Sequence, residues 1–131
     1  MENNFLSAKN NKNEVINLTN KKLLGLYFSA HWCGPCRNFT PKLMHYYNTL
    51  FDKNSMEIIF ISSDSNENEF NKYFSTHPWY AIPFENKELR DQLSDFYKVN
   101  AIPTFIILDI TNNFNICYTD GVSQILKIIN K

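Results

Sequence analysis

The chain has no excess of either charge: 13 basic and 13 acidic side chains cancel over 131 residues. That removes the general electrostatic reason for binding nucleic acid or an anionic membrane, and no basic patch interleaved with aromatics supplies a local one. Long apolar runs are missing as well. The longest fall far short of a membrane span. The polar first twenty residues, broken only by Phe5-Leu6 and Val15-Ile16, hold no signal-peptide core. Cysteines number only three; without a secretion signal they suit a reducing compartment better than a disulfide scaffold. No internal repeat and no second domain is visible. What remains is one domain over residues 1–131, 44% hydrophobic and long enough to build a real core. Its first thirteen residues are expected to form a mobile polar segment. The frequent Asn and Lys, as in Asn10-Asn11-Lys12-Asn13, read as compositional habit and carry no chemistry.

The two other cysteines stand apart from Cys117, in Trp32-Cys33-Gly34-Pro35-Cys36, where an apolar strand meets a long amphipathic helix. This setting places Cys33 at or near a helix N-terminus, where unpaired N–H groups and the positive end of the helix dipole favour an anion. A free thiol titrates near about 8.5, and such positions lower that value toward neutrality. Cys36 lies one helical turn on, close enough to close a disulfide. Two other readings of the pair stay open. A zinc site needs four ligands, typically a second Cys-x-x-Cys or a paired-histidine motif; the sequence offers only Cys117 and the scattered His31, His45 and His77. A static disulfide would staple only a four-residue loop. Thiol–disulfide chemistry is the reading the pattern favours.

Strands and helices alternate along the chain. Val15 to Leu18 reads as a short edge strand and Leu23 to Ser29 as a strand buried on both faces. From Gly34 to about Asp52, Phe39, Leu43, Tyr46/Tyr47 and Leu50 recur at helical spacing; Pro41 falls inside and should remove one backbone bond and kink the helix. Met56 to Ile61 is the next strand. Ser65 to Phe74 is a helix with Phe70, Tyr73 and Phe74 on its apolar side, and Pro78 to Phe84 an irregular aromatic connection. Glu88 to Tyr97 is a helix using Leu89, Leu93 and Phe96. Phe105 to Leu108 and Ile116 to Thr119 pair antiparallel through Thr111-Asn112-Asn113. Gly121 leads into a final helix with Ile125, Leu126, Ile128 and Ile129. The sum is an α/β domain, a mixed sheet flanked by helices.

Several stretches together carry a resemblance: Tyr27-Phe-Ser-Ala-His-Trp-Cys33, Cys36-Arg37 with Phe39-Thr40-Pro41, Ile61-Ser62-Ser63-Asp64, Pro78-Trp79-Tyr80-Ala81-Ile82-Pro83-Phe84 and Ile102-Pro103-Thr104-Phe105. In this order the chain resembles the thioredoxin superfamily, and within it the tryparedoxin/nucleoredoxin branch, over about residues 15 to 125. The resemblance implies the thioredoxin fold, with helices on both faces of the central mixed sheet. It implies Cys33 as the nucleophile that forms a mixed disulfide with substrate and Cys36 as the resolving thiol. Trp32 would shield the pair and offer substrate a flat apolar surface. Gly34 and Pro35 would support the site, Pro35 because its missing N–H costs nothing in a first helical turn. Pro103 would be a cis-proline facing the cysteines, leaving the Ile102 backbone open to an extended substrate segment. Tyr27 and Pro41 complete the support. No metal and no organic cofactor is implied beyond the redox-active Cys33–Cys36 disulfide.

Two departures from the branch matter. Gly34-Pro35 is the thioredoxin pair, where tryparedoxins usually carry two prolines. Tyr27 stands where thioredoxins usually bury a proton-transferring aspartate. The implied partners are protein disulfides, such as those of peroxiredoxin-type peroxidases. The implied reductant is a glutathione-like thiol or thioredoxin reductase. The setting implied is a monomer in the cytoplasm or nucleus. The competing class is a redox-gated binding module of nucleoredoxin type with little turnover. Other residues get plainer readings: His31 as a neighbour of Cys33 or an idle loop histidine, His45 and His77 as non-catalytic, Trp79 as core or rim. Tyr46, Tyr47 and Tyr73 read as half-buried helix residues, Arg37 as a solvated arginine, and Cys117 as a small strand residue.

Overall fold

A computed structural model describes residues 2–51 and 55–129. Five strands, β1 (Leu23–Ser29), β2 (Met56–Ser62), β3 (Tyr80–Ala81), β4 (Thr104–Asp109) and β5 (Asn115–Tyr118), form one sheet in the order β3-β2-β1-β4-β5. The first three run parallel; β4 pairs antiparallel with β1, and β5 antiparallel with β4. Four helices accompany them: α1 (Gly34–Tyr46), α2 (Glu67–Phe74), α3 (Lys87–Phe96) and α4 (Gly121–Ile129).

The sheet is covered on both faces, which is why its central strands read as continuous apolar runs instead of alternating ones. Successive side chains point to opposite faces. Tyr27, Met56, Ile58, Phe60, Phe105 and Ile107 therefore meet α1, α2 and α4 through Phe39, Leu43, Phe70, Phe74, Ile125 and Ile128. Leu24, Leu26, Phe28, Ile59, Ile61, Ile106 and Leu108 meet α3 and the N-terminal segment through Leu89, Leu93 and Phe5. Gly25 and Gly121 both abut Phe105: a Cβ at either would stand 2.4 or 2.6 Å from its atoms.

Several expectations need correction. Residues 5–9 are packed, not mobile: Phe5 and Ala8 are fully buried, and Lys9 exchanges two backbone hydrogen bonds with Ala81 at the edge of β3. Two apolar side chains in a polar stretch suffice to dock it, and the docked segment covers a strand edge that would otherwise be open. Residues 15–18 are no strand; Val15 makes one bridge to Lys9, and Ile16 turns into the core. The irregular 78–84 connection holds β3, whose two residues are too few for any periodicity to show. The helix expected to reach Asp52 runs through Pro41 to Tyr46 and continues to Phe51 with wider π-type hydrogen bonding. Asp52 lies outside the described residues, as does the side chain of Ile129. Phe96 is 59% exposed. Tyr97, four residues after Leu93, packs against the core in its stead.

Candidate active site

Cys33 ends the loop after β1 in an extended conformation (φ −89°, ψ 113°) and caps α1. Its sulfur accepts the Cys36 N–H at 3.3 Å, satisfying one of the donors that every helix start leaves orphaned. Pro35, which has no N–H to satisfy, falls in the same first turn. On its other side the Cys33 sulfur lies 3.8 Å from the Ile102 carbonyl, to which the thiol donates. The Ile102–Pro103 bond is cis. Helix start and proline loop thus hold one sulfur between them.

The loop carrying the cysteines is fixed by the end of β2. The Asp64 carboxylate, buried, accepts the His31 backbone N–H at 2.8 Å and the Ser62 hydroxyl at 2.8 Å. The Trp32 indole donates to the Ser63 carbonyl at 3.2 Å, and Ser63 N–H donates to the Ser29 carbonyl at 2.9 Å. Behind them Arg90, also buried, donates to the carbonyls of Ser62 and Phe84 and lies over the Phe84 ring. Asp64 and Arg90 carry no role in the sequence reading. The signal available was the Ser62-Ser63-Asp64 run at a strand end, where short polar side chains turn back on the backbone.

The two thiols differ in exposure and are not linked. Cys33 is 6% exposed and borders an open cleft of about 570 Å³; Cys36 is fully buried. Burial, with the hydrogen bond to Cys33, pushes the Cys36 thiol up to about 11. The cleft has Trp32, Gly34 and Pro35 on the cysteine side and Val99, Asn100, Ala101 and Ile102 opposite, with Ser63 and Ser94. None of these side chains is charged. Trp32 is 59% exposed, free to present its ring to whatever enters.

Beneath Cys36 lies a hydroxyl cluster. Tyr27 meets the Thr40 hydroxyl at 2.6 Å and the Cys36 carbonyl at 3.3 Å; Thr40 donates to the same carbonyl at 2.9 Å. Thr40 and Tyr73 hydroxyls are 2.6 Å apart, Tyr73 and Ser29 2.8 Å. Burial raises the proton affinity of both tyrosines, so neither is a base at neutral pH. Ser29, Thr40 and Tyr73 are additions to the sequence reading, and Tyr73 is buried, not half-buried. Pro41 follows Thr40 on α1 as expected but is exposed.

The remaining candidates fall elsewhere. The His31 ring is engaged by Glu69 at 2.8 Å and stands edge-on to Tyr73. His77 and Trp79 are core residues beside Tyr73 and Tyr27. Cys117 is exposed on β5, at the far edge of the sheet from β3. Among the described residues no group of three or more His, Cys, Asp and Glu could hold a metal ion, and no helix is long and apolar enough to cross a membrane.

A five-stranded mixed sheet with a Cys-x-x-Cys helix start opposite a cis-proline defines a thioredoxin-fold protein, a class that works through a cysteine pair without a cofactor. The family model described as thioredoxin-like matches residues 20–115, and the chain belongs to that family. Over 96 residues, 73% of the chain, it is 48% identical to the Arabidopsis thaliana protein named Probable nucleoredoxin 1, of which it covers 16%. The chain spans between 16% and 27% of the length of the curated nucleoredoxins it matches. Tryparedoxin I from Crithidia fasciculata superposes with a TM-score of 0.84 at 31% identity, over 94% of this chain and 85% of that one. A tryparedoxin II solved in complex with glutathionylspermidine gives 0.85 at 30% identity, over 93% and 85%.

Proposed function

We propose that this chain is a dithiol–disulfide oxidoreductase that reduces protein disulfides in thiol redox homeostasis. Cys33 attacks a substrate disulfide: a bond forms between its sulfur and one substrate sulfur, and the other leaves as a thiol. Cys36 then attacks Cys33, the substrate sulfur departs with the electron pair and a proton, and a Cys33–Cys36 disulfide remains. A thiol donor returns the two electrons. The observation that carries this reading is the asymmetry of the pair. One sulfur caps a helix beside an open cleft; the other is sealed one turn behind it.

Of the two donors, a glutathione-like small thiol is the one we favour. The cleft beside Cys33 is open and admits a small molecule, and a structural neighbour is known in complex with glutathionylspermidine. The protein would act as a monomer in the cytoplasm or nucleus, with peroxidases of the peroxiredoxin type as targets. The test is reduction of insulin disulfides with dithiothreitol, expected for the wild type and lost in Cys33→Ser. Coupled NADPH oxidation then compares glutathione with thioredoxin reductase. Absence of turnover with intact cysteines would favour a redox-gated binding module. Full-rate turnover with thioredoxin reductase and none with glutathione would reverse the donor assignment.

A further inference from the structure

The cleft that opens on the Cys33 sulfur has Trp32, Gly34 and Pro35 on one side and residues 99–102, with Ser94, on the other. That second wall is set before any substrate arrives. Val99 and Ile102 pack against the core, the Val99 N–H donates to the Ser94 carbonyl at 2.9 Å, and Lys98 turns the chain with a φ of 55°. A segment that brings a disulfide sulfur to Cys33 therefore lies between the exposed Trp32 ring and this fixed wall.

No charged side chain lines the cleft. Its polar side chains are Ser63, Ser94 and Asn100, and none of the three makes a side-chain hydrogen bond to another described residue. Asn100 is exposed, and its amide both donates and accepts. It can pair with a hydroxyl, an amide or a peptide group, but offers no charge to a carboxylate or an ammonium. Asp95 and Lys98, which precede the wall, are exposed and of opposite sign, so they bring no net charge to its edge.

We propose that the cleft selects protein disulfides by the neutrality of the residues beside the target cysteine, and that Asn100 sets this selection. This rests on the dithiol reading above and names its substrate class: segments in which amide or hydroxyl side chains flank the cysteine. A charged side chain carried in beside that cysteine gives up water against Trp32, Val99 and Ala101 and gains no counter-ion. A neutral polar one exchanges water for the Asn100 amide and the Ser63 and Ser94 hydroxyls at little cost. A glutathione-like donor meets the same condition, since its cysteine stands between two amide linkages. Asn100 takes no part in the sulfur exchange; it decides which segment is held there.

The test uses three disulfide-linked peptide dimers, acetyl-X-Cys-X amides with X as Gln, Glu or Lys. Reduced protein, in a Cys117→Ser background that removes the exposed thiol, is mixed with each in single turnover, and the peptide thiol released is counted by chromatography after acid quench. Each rate is divided by that of the same peptide with dithiothreitol, which cancels the intrinsic effect of charge on the disulfide. The Gln peptide is expected to exceed both charged ones by about tenfold. Asn100→Lys should move the Glu-to-Lys ratio about tenfold toward Glu, and Asn100→Asp about as far toward Lys, both shifts shrinking at high salt. A ratio taken within one variant is blind to any effect of the new charge on Cys33 itself. Equal normalised rates for the three peptides, or a wild type that prefers a charged one, would overturn the proposal. So would a Glu-to-Lys ratio that stays put in both Asn100 variants, which would remove Asn100 from the selection. Peptide reduction that survives Cys33→Ser would sink the dithiol reading itself, and the specificity with it.

Discussion

His77 gives the structure a measurable acid weakness. Its ring is 4% exposed, packed among Phe60, Tyr73, Phe74 and Trp79 at centroid distances of 5.2, 4.5, 5.6 and 5.0 Å, and its Nδ1 has no hydrogen-bond partner. Burial lowers its affinity for a proton to about 3. In the unfolded chain the same imidazole titrates near about 6.5. Below that value the unfolded state binds a proton that the folded state refuses. Stability is therefore complete above about 6.5 and is lost as pH falls toward 3. Linkage gives about 2 kcal/mol lost between pH 7 and pH 5, rising to about 4 kcal/mol by pH 3. Against the roughly 5–15 kcal/mol that holds a typical domain together, the latter is a large fraction of the whole. The assay is a difference, in which contributions common to the two proteins cancel: urea unfolding of wild type and His77→Leu at pH 7 and pH 5. The gap between the two proteins should change by about 2 kcal/mol in favour of the variant as the pH falls. Parallel losses in the two would refute the argument.

Other outcomes follow from the same geometry. Iodoacetamide at mildly acidic pH should label Cys33 before Cys36, because Cys33 opens on the cleft while Cys36 is buried and holds its proton up to about 11; mass spectrometry showing Cys36 or Cys117 modified first would reverse the assignment. Tyr27→Phe should keep activity within about tenfold, since Thr40 still donates to the Cys36 carbonyl without it; a thousandfold loss in the folded variant would make the hydroxyl a direct participant. Gly121→Ala should cost about 1–3 kcal/mol, because the added methyl would lie 2.6 Å from the Phe105 carbonyl oxygen, which is backbone and cannot swing aside. Gly34→Ala, with nothing within 4 Å, is the matched control, and equal thermal stability of the two would contradict that reading.

The order of elements was legible because each long one is a local signal. The buried strands β1, β2 and β4 are uninterrupted apolar runs, and the aromatic stripe of α2 repeats at helical spacing. The Cys33–Cys36 pair was legible for the same reason, since its spacing and its place at a helix start are both local. The isomer of the Ile102–Pro103 bond and its approach to Cys33 are contacts across 69 residues; only the resemblance of Ile102-Pro103-Thr104 to a family pattern pointed there. Tertiary structure alone decided the rest. Ser29, Thr40 and Tyr73 come from a strand and two helices, and each is unremarkable in its own segment; they become a cluster because the sheet brings their hydroxyls together under Cys36. Asp64 and Arg90 are ordinary charges in sequence and buried anchors in the fold, because burying either requires partners supplied by other segments. Phe5 and Ala8 dock because the edge of β3 and the apolar face over α3 offer them a place. Local pattern set which segments fold and where the paired cysteines stand, while packing at long range set which groups surround them.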